Sequence, residues 1–551
     1  MTQALSHDSF KGSDERSGSR SDRFARYACY IVLVLVLAVF AALRFRYRDL
    51  PLERDEGEYA YMGQLMLQGI PPYQMAYTMK LPGTCAAYAV IMAVFGQTTV
   101  GIRLGIIVVI SLCAILVFLL GKYLHGLLAG TVAGITYSFL AIRPGVMGMG
   151  GHPTHFIVLT ALAGILLLFR AMHRERTVLF FVSGLMFGLA FLMKQPGILF
   201  GLLAGSYWLW VEWKHGFLWR NLVFRGGAFA VGVALPYGLL CLWLLHAGVF
   251  ANFRFWTWTY ALEYGSMLSL ADSWRFDLRF TLPWAVRPFV LWEIALAGLA
   301  APLWSRSARL HGGFVTAFFI TSLLAVCPGL YFRPHYFILL LPAVAVCAGI
   351  AVDCAQRELH RLNLGRLAFI PLLCFAVAYL ASVRGQWRSY FHLNPAALSR
   401  KICADGVICG DHKLVADFIK ARAAPGDQIG IFGSEPEICF YARLRCASSY
   451  IYVYPLMEKQ RFAGQMQNEM LGQLQRTAPR FLIYVDDEQS WGWSRNFAKN
   501  LPFLEQAWSF AHAGYDLVDQ VPIPDPGSHT QHLRGGQPQF CVFERPIHEP
   551  R

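Results

Sequence analysis

The sequence predicts a polytopic α-helical membrane protein followed by a soluble C-terminal α/β domain. Hydrophobic residues make up 56% of the 551 and charged residues only 15%, where a soluble domain carries about 25% charged residues. The mean hydropathy is +0.42. Apolar runs long enough to cross a bilayer core recur up to residue 385, and then give way to short strand-like and helix-like segments. The formal net charge of +14 would suggest nucleic acid in a soluble protein. Here Arg and Lys cluster between the apolar runs, which marks membrane topology and anionic lipids. With no zinc ribbon, RNP-type aromatic strand or basic helix, no nucleic-acid partner is expected.

Residues 1–26 are polar, rich in Ser, Arg and Asp, and predicted to be a disordered cytoplasmic segment. The first span follows, from Tyr27 to about Leu43. Arg44, Arg46 and Arg48 come directly after it without a small-residue cleavage site, so it reads as an uncleaved anchor. Further spans are placed near 100–120, 127–147, 154–170, 177–193, 197–212, 225–248, 284–304, 313–328, 335–352 and 367–383, about eleven in all. Alternate connections carry Lys122; Arg170, Arg174 and Arg176; Lys214, Arg220 and Arg225; Arg306 and Arg309; and Arg357, Arg361 and Arg366. Their shared side is the cytoplasm by the positive-inside rule. The opposite side receives the first external loop (44–99), the aromatic loop 250–283, Arg333, and a C-terminal domain over 386–551.

The first external loop is too long and too apolar for a simple connector. Tyr59, Met62, Gly63, Met66 and Leu67 share one helical arc and Glu58, Gln64 and Gln68 the other, as in a helix lying in the interface plane. Pro71-Pro72 stops it, and Lys80-Leu81-Pro82-Gly83 leads into a second apolar segment up to Gly96, a juxtamembrane element or a true span. In the C-terminal part, helices are predicted over His412–Ala423 and 458–475, and strands over Gln428–Phe432 and Phe481–Val485. They imply a small parallel or mixed sheet. The segment Gly433-Ser434-Glu435-Pro436-Glu437 reads as a strand-to-helix turn, because no GxGxxG or Walker pattern surrounds it.

Of the thirteen cysteines, Cys403, Cys409, Cys439, Cys446 and Cys541 fall in the C-terminal part. Cys439 with Cys446, or Cys403 with Cys409, would bridge in an oxidising compartment. No CxxC metal spacing occurs.

The chemistry centres on Arg54-Asp55-Glu56-Gly57-Glu58, just beyond the first span. Adjacent acids at the hydrocarbon boundary carry a cost that function explains; the plain alternative is a solvated loop pair, or Asp55 as a helix N-cap. This stretch, followed by Lys80-Leu81-Pro82 and Gly101-Ile102-Arg103-Leu104, resembles the bacterial branch of the family 39 glycosyltransferases of the GT-C fold. That branch includes protein O-mannosyltransferases and aminoarabinose transferases. The runs from Gly188 to Lys194 and from Arg333-Pro334-His335-Tyr336 to Pro342 match later family patterns, so the resemblance covers about residues 25–385.

The resemblance implies an integral protein of the bacterial inner membrane with a periplasm-facing site. It implies a polyprenyl-phosphate sugar donor, Asp55 as catalytic residue and Lys80 near the donor phosphate. Where many members carry an acid in the next external loop, this chain has Gly150-Gly151-His152-Pro153-Thr154-His155, which makes His152 and His155 candidate substitutes.

The chemistry agrees with those parts. Phosphate is already a good leaving group, so the reaction needs cations to hold the departing charge and a base at the incoming hydroxyl. Asp55 suits the base and Glu56 the positioning of the acceptor or of an ion. The residues name no particular cofactor, and a divalent cation would fit beside the acids. Lys80, Arg103, Lys194 and Arg333 are candidate phosphate clamps; as span-end residues they would also serve as snorkelling anchors. Tyr59, His152, His155, His335, Tyr336 and Glu263 are weaker substrate-binding candidates. The aromatic loop from Phe253 to Tyr260 reads as an interfacial belt or as a lid over a sugar. The expected reaction is inverting transfer of a sugar to a lipid, glycan or protein hydroxyl. A transporter or flippase is the rival, and would show inverted repeats and mid-membrane charges.

Overall fold

The computed structural model describes residues 20–216, 218–403, 412–492, 497–523 and 539–546. Helix α1 (Arg20–Arg46) already includes residues 20–26, which the sequence predicts to be disordered; they extend the span's helix by two turns. Residues 1–19 and Cys409, and the side chain of Cys403, lie outside what is described.

Eight helices build the first part of the membrane region. After α1 come α2 (Arg54–Leu67), α3 (Gly83–Phe95), α4 (Thr99–His125), α5 (Leu127–Leu140), α6 (Pro153–Arg174), α7 (Thr177–Met193) and α8 (Ile198–Lys214). Among the described residues, five helical stretches are long and apolar enough to cross a bilayer: Arg23–Arg46, Thr99–His125, Pro153–Arg174, Trp219–His246 and Gly365–Gly385. The pair Arg279–Ala285 and Phe289–Leu299 is apolar enough only when taken together, and is bent by 84°, as in a broken span or a re-entrant loop. Gly83–Phe95, Leu127–Leu140, Thr177–Met193 and Gly312–Leu324 are shorter apolar helices. At about 1.5 Å per residue, α3 falls short of a core about 30 Å thick, the length expected of a juxtamembrane helix rather than of a full span.

The bundle is centred on the helix Leu341–Arg361, whose residues Leu341 to Cys354 are all buried. Small residues let its neighbours approach backbone to backbone, as membrane packing favours. A Cβ on Gly349 would lie 2.1 Å from the Ala129 carbonyl oxygen, and one on Gly298 would collide with the Cys347 carbonyl.

The C-terminal part holds a mixed five-stranded sheet. Its strands are β1 (Gln428–Phe432), β2 (Arg445–Cys446), β3 (Phe481–Asp486), β4 (Asp516–Pro522) and β5 (Gln539–Glu544), in the order β2-β1-β3-β5-β4. β1 runs parallel to β2 and β3, while β5 runs antiparallel to β3 and β4. The predicted turn after β1 leads into the helix Pro436–Ala442. A disulfide joins Cys439 at that helix to Cys446 on β2.

This domain docks on α2, which overturns the expectation of a helix with one free polar face. Gly57 meets the Glu437 side chain and Gly63 meets the α3 backbone, each so closely that a Cβ would clash. Glu58 and Gln64, assigned from the sequence to a solvent-facing arc, are buried at 0% and 3% exposure. The helical wheel cannot see a partner that arrives 380 residues later.

Candidate functional site

Helix α2 begins with a capping box: the Glu56 amide donates to Glu53 Oε1 at 3.2 Å and the Glu53 amide to Glu56 Oε2 at 3.3 Å. The cap is therefore Glu53 and not Asp55. Asp55, one residue inside the helix, is left with its carboxylate turned to Lys80.

Asp55 and Glu58 stand three residues apart on α2, a spacing that puts them on one face. Lys80 reaches both: its Nζ lies 2.8 Å from Asp55 Oδ1 and 2.5 Å from Glu58 Oε2. The ammonium is also 4.7 Å from the centre of the Tyr59 ring and 5.6 Å from that of Tyr452. The loop that presents Lys80 is fixed by Tyr73, whose hydroxyl donates to the Lys80 carbonyl at 2.8 Å, and by Thr78, whose hydroxyl accepts the Lys80 amide at 3.2 Å. Tyr452 closes the site from the C-terminal domain. Its hydroxyl lies 2.8 Å from the Arg54 carbonyl and 3.3 Å from Asp55 Oδ1.

The charges sort the acids by role. Burial alone would push the Asp55 carboxyl up, but the Lys80 ammonium overrides it and holds Asp55 well below the usual carboxylate range. Burial, together with the Asp55 and Glu56 charges, pushes Glu53 well above that range. Glu58 is also raised by burial, against the pull of Lys80. Lys80 itself is pushed well up by Asp55 and Glu58 in spite of its burial. Of the three acids Glu53, Asp55 and Glu58, Asp55 is the one held below the usual carboxylate range.

Glu56 and Arg103 form a different unit. Arg103 grips Glu56 with both terminal nitrogens, and the Gly151 amide adds a 2.6 Å hydrogen bond to Glu56 Oε1. The remaining donors of Arg103 go to the carbonyls of Leu50 and Pro51 at 2.9–3.3 Å and of Met149 at 3.5 Å. Both side chains are buried and satisfied. Neither the acceptor role expected of Glu56 nor the phosphate-clamp role expected of Arg103 fits this geometry; the pair pins the first external loop to α4.

His152 and His335 stack with ring centres 4.4 Å apart, and burial lowers the proton affinity of both rings, which favours their neutral forms. His152 Nδ1 lies 3.6 Å from Glu53 Oε1. His335 meets Tyr336 edge-on, and Lys194 stands 3.7 Å above the Tyr336 ring. Among the described residues no carboxylate pairs with Lys194, so the cation is available beside the histidines. His155 sits deeper against α4, where its carbonyl faces the Cys113 thiol at 3.5 Å; of the two histidines only His152 reaches the site.

Arg333 and Glu263 belong to a second group. Arg333 is exposed and lies 5.7 Å from the Tyr331 ring, while Glu263 pairs with Arg461 at 3.6 Å. Tyr331 stacks on Tyr264, and Tyr260 donates to Glu458 of the C-terminal domain. The aromatic loop is therefore an interface with that domain as much as a belt. As for a divalent ion, the Lys80 ammonium occupies the position between Asp55 and Glu58 that such an ion would need.

Three contributors were given no site role from the sequence, although Glu58 lies in the stretch on which the chemistry centres. Glu53 and Glu58 carried a signal, the i−2 and i+3 spacings around Asp55. Tyr452 carried none, because only domain docking brings it there.

Comparison with known proteins bears on the family and the fold. Residues 81–240 match the family of dolichyl-phosphate-mannose-protein mannosyltransferases. A stretch of 218 residues is 31% identical to the undecaprenyl phosphate-alpha-4-amino-4-deoxy-L-arabinose arabinosyl transferase of Pseudomonas paraeruginosa, covering 37% of this chain and 38% of that protein. The match thus spans little more than a third of that relative's length. The crystal structure of ArnT from Cupriavidus metallidurans bound to undecaprenyl phosphate superposes with a TM-score of 0.56 at 16% identity, over 94% of this chain and 99% of that one. The archaeal oligosaccharyltransferase AglB from Archaeoglobus fulgidus, in complex with an inhibitory peptide and a dolichol-phosphate, gives 0.53 at 11% identity over 93% and 75%. The family 39 resemblance is borne out over residues 81–240, and the chain has the fold of the GT-C membrane glycosyltransferases.

Proposed function

We propose that the protein is an integral-membrane glycosyltransferase that moves one sugar from a polyprenyl phosphate to a hydroxyl of a lipid, glycan or protein, with inversion, on the non-cytoplasmic face of a bacterial inner membrane. The observation that carries the reading is Lys80 bridging Asp55 and Glu58 beneath Tyr452. An ionised carboxylate and a poorly hydrated ammonium, held together at the end of a membrane bundle, are the two groups this transfer requires. The fold and the relatives' lipid-phosphate donors support it.

In this mechanism the donor phosphate takes over the Lys80 ammonium, with Lys194 as a second cation. Loss of its ion pair raises the proton affinity of Asp55 just when a base is needed. The acceptor hydroxyl oxygen attacks the anomeric carbon opposite the phosphate. Its proton passes to Asp55, the carbon–oxygen bond to phosphate breaks, and polyprenyl phosphate leaves with the electron pair on an oxygen held by Lys80. His152 and His335 wall the site and supply no required step.

The test is transfer by the purified protein from a panel of radiolabelled polyprenyl-phosphate sugars, comparing wild type with Asp55→Asn. Loss of turnover with donor binding kept supports the base role; equal turnover removes Asp55 from the mechanism. Movement of lipid-linked sugar across proteoliposomes without a new glycosidic bond would instead establish a flippase.

A further inference from the structure

A second cluster of reactive side chains lies at the far end of α4. His125 closes α4, and Asp353 and Cys354 lie on the helix Leu341–Arg361. From Arg103 to His125 the helix rises about 33 Å, so this cluster is a membrane thickness away from Asp55. It is on the side that the charge pattern makes cytoplasmic.

His125, Asp353 and Cys354 are buried at 7%, 5% and 0% exposure. Their ligand atoms all lie within 4.8 Å of one another. His125 Nδ1 is 3.6 Å from Asp353 Oδ2 and 3.8 Å from Cys354 Sγ. Both neighbours therefore converge on the same ring nitrogen. A nucleophile–base–acid relay would need the thiol and the carboxylate on opposite nitrogens of the ring, so the cluster is not one. The separations suit a shared cation instead: zinc–ligand bonds of about 2.0–2.3 Å at tetrahedral angles place N, O and S donors about 3.4–3.6 Å apart.

The surroundings are those of a ligand set held in place. Arg357 donates through Nη2 to the His125 carbonyl at 2.8 Å and to Asp353 Oδ1 at 3.3 Å, capping α4 and orienting the carboxylate. Asp353 Oδ2 has Arg357 Nε 2.7 Å away yet accepts no hydrogen bond. The Ser307 hydroxyl lies 3.5 Å from Cys354 Sγ, in position to complete the set directly or through water.

We propose that His125, Asp353 and Cys354 form a binding site for a zinc-type divalent cation that staples α4 to the helix Leu341–Arg361 and to the 305–307 loop. Thiolate, imidazole and carboxylate together select a borderline-soft ion over calcium or magnesium. Neutral His125 with ionised Cys354 and Asp353 gives the site a charge of −2, which the cation cancels, with Arg357 left to orient Asp353.

The test uses untagged full-length protein in detergent, incubated with zinc and desalted, and elemental analysis by mass spectrometry. About one zinc per chain is expected, with loss in His125→Ala and Cys354→Ser. Cobalt substitution of the wild type gives an independent readout, a thiolate-to-cobalt charge-transfer band that disappears in Cys354→Ser. Because the band is read on the wild type, the test survives a variant that fails to fold. Zinc retained equally by both variants, or a wild type with no stoichiometric metal and no thiolate band, would overturn the site. Asp55→Asn protein is expected to bind the same zinc, so the result stands apart from the glycosyl-transfer reading.

Discussion

Lys80 Nζ lies 2.8 Å from Asp55 Oδ1, so the proposed base and the donor phosphate compete for one ammonium. That competition gives Asp55→Asn a distinctive signature. Turnover is expected to fall by about 10²–10⁴, the range for removing a general base. Donor affinity is expected to hold or improve, because Lys80 no longer has to leave a carboxylate. Lys80→Met should act in the opposite sense and weaken donor binding by about 10–100-fold, the value of a charge-assisted hydrogen bond. Equilibrium binding and single-turnover rates on the two variants separate these effects. Weaker binding in Asp55→Asn would show that the carboxylate helps to hold the donor.

The pair Glu56–Arg103 is expected to matter for stability and not for chemistry. Removing one partner leaves a buried, unpaired charge, which costs about 3–5 kcal/mol. Glu56→Gln and Arg103→Met should each lower the melting temperature in detergent strongly. The double variant should be less destabilised than the sum of the two, because neither charge is then left alone. Donor affinity measured on the folded fraction should stay near wild type. A specific loss of donor binding in Arg103→Met, with the melting temperature unchanged, would return Arg103 to the phosphate site.

Local patterns carried much of this molecule, and the failures share a cause. The apolar spans, the strands Gln428–Phe432 and Phe481–Asp486 and the turn at Gly433 follow from hydrophobic runs and their breaks, which act within a few residues. Asp55 is legible from its position just beyond the first span, and Lys80 as its companion from the family 39 resemblance. The burial of Glu58 and Gln64, the arrival of Tyr452, and the division of adjacent Asp55 and Glu56 into a reactive and a structural acid all depend on the C-terminal domain, α3 and α4 closing over α2. No periodicity within the loop encodes those contacts. Arg103 misled because a buried guanidinium looks the same in sequence whether its partner is a ligand or Glu56.

Glu437 makes stability depend on pH. Burial, then the nearby Glu435 charge, raises its carboxyl from 4.5 to about 8, and neither of its oxygens accepts a hydrogen bond among the described residues. A carboxyl raised on folding binds its proton more tightly in the native state. Its contribution is fully present below about pH 4.5 and is lost as pH rises through about 8. The wild type should therefore lose melting temperature between pH 5 and pH 8.5 more steeply than Glu437→Gln, whose amide mimics the protonated acid. Parallel slopes would mean that the carboxyl ionises without cost inside the domain.

Tyr452 links the C-terminal domain to the reaction. Its hydroxyl approaches both the Arg54 carbonyl and Asp55 Oδ1, and its ring lies beside Lys80, so the domain contributes to the site as well as covering it. Tyr452→Phe keeps the ring and the seal but removes the hydroxyl. A lost hydrogen bond to a charged group is worth about 1.5–3 kcal/mol, and the tyrosine divides its proton between two acceptors, so the lower end applies. Turnover should fall about 10-fold, with donor affinity and melting temperature close to wild type. Tyr452→Ala opens the site to water and weakens the ring's hold on the Lys80 ammonium, so donor binding should fall as well. Steady-state kinetics and donor titrations on the two variants distinguish hydroxyl from ring. If both behave as wild type, the domain serves the acceptor elsewhere and the site ends at α2 and the Lys80 loop.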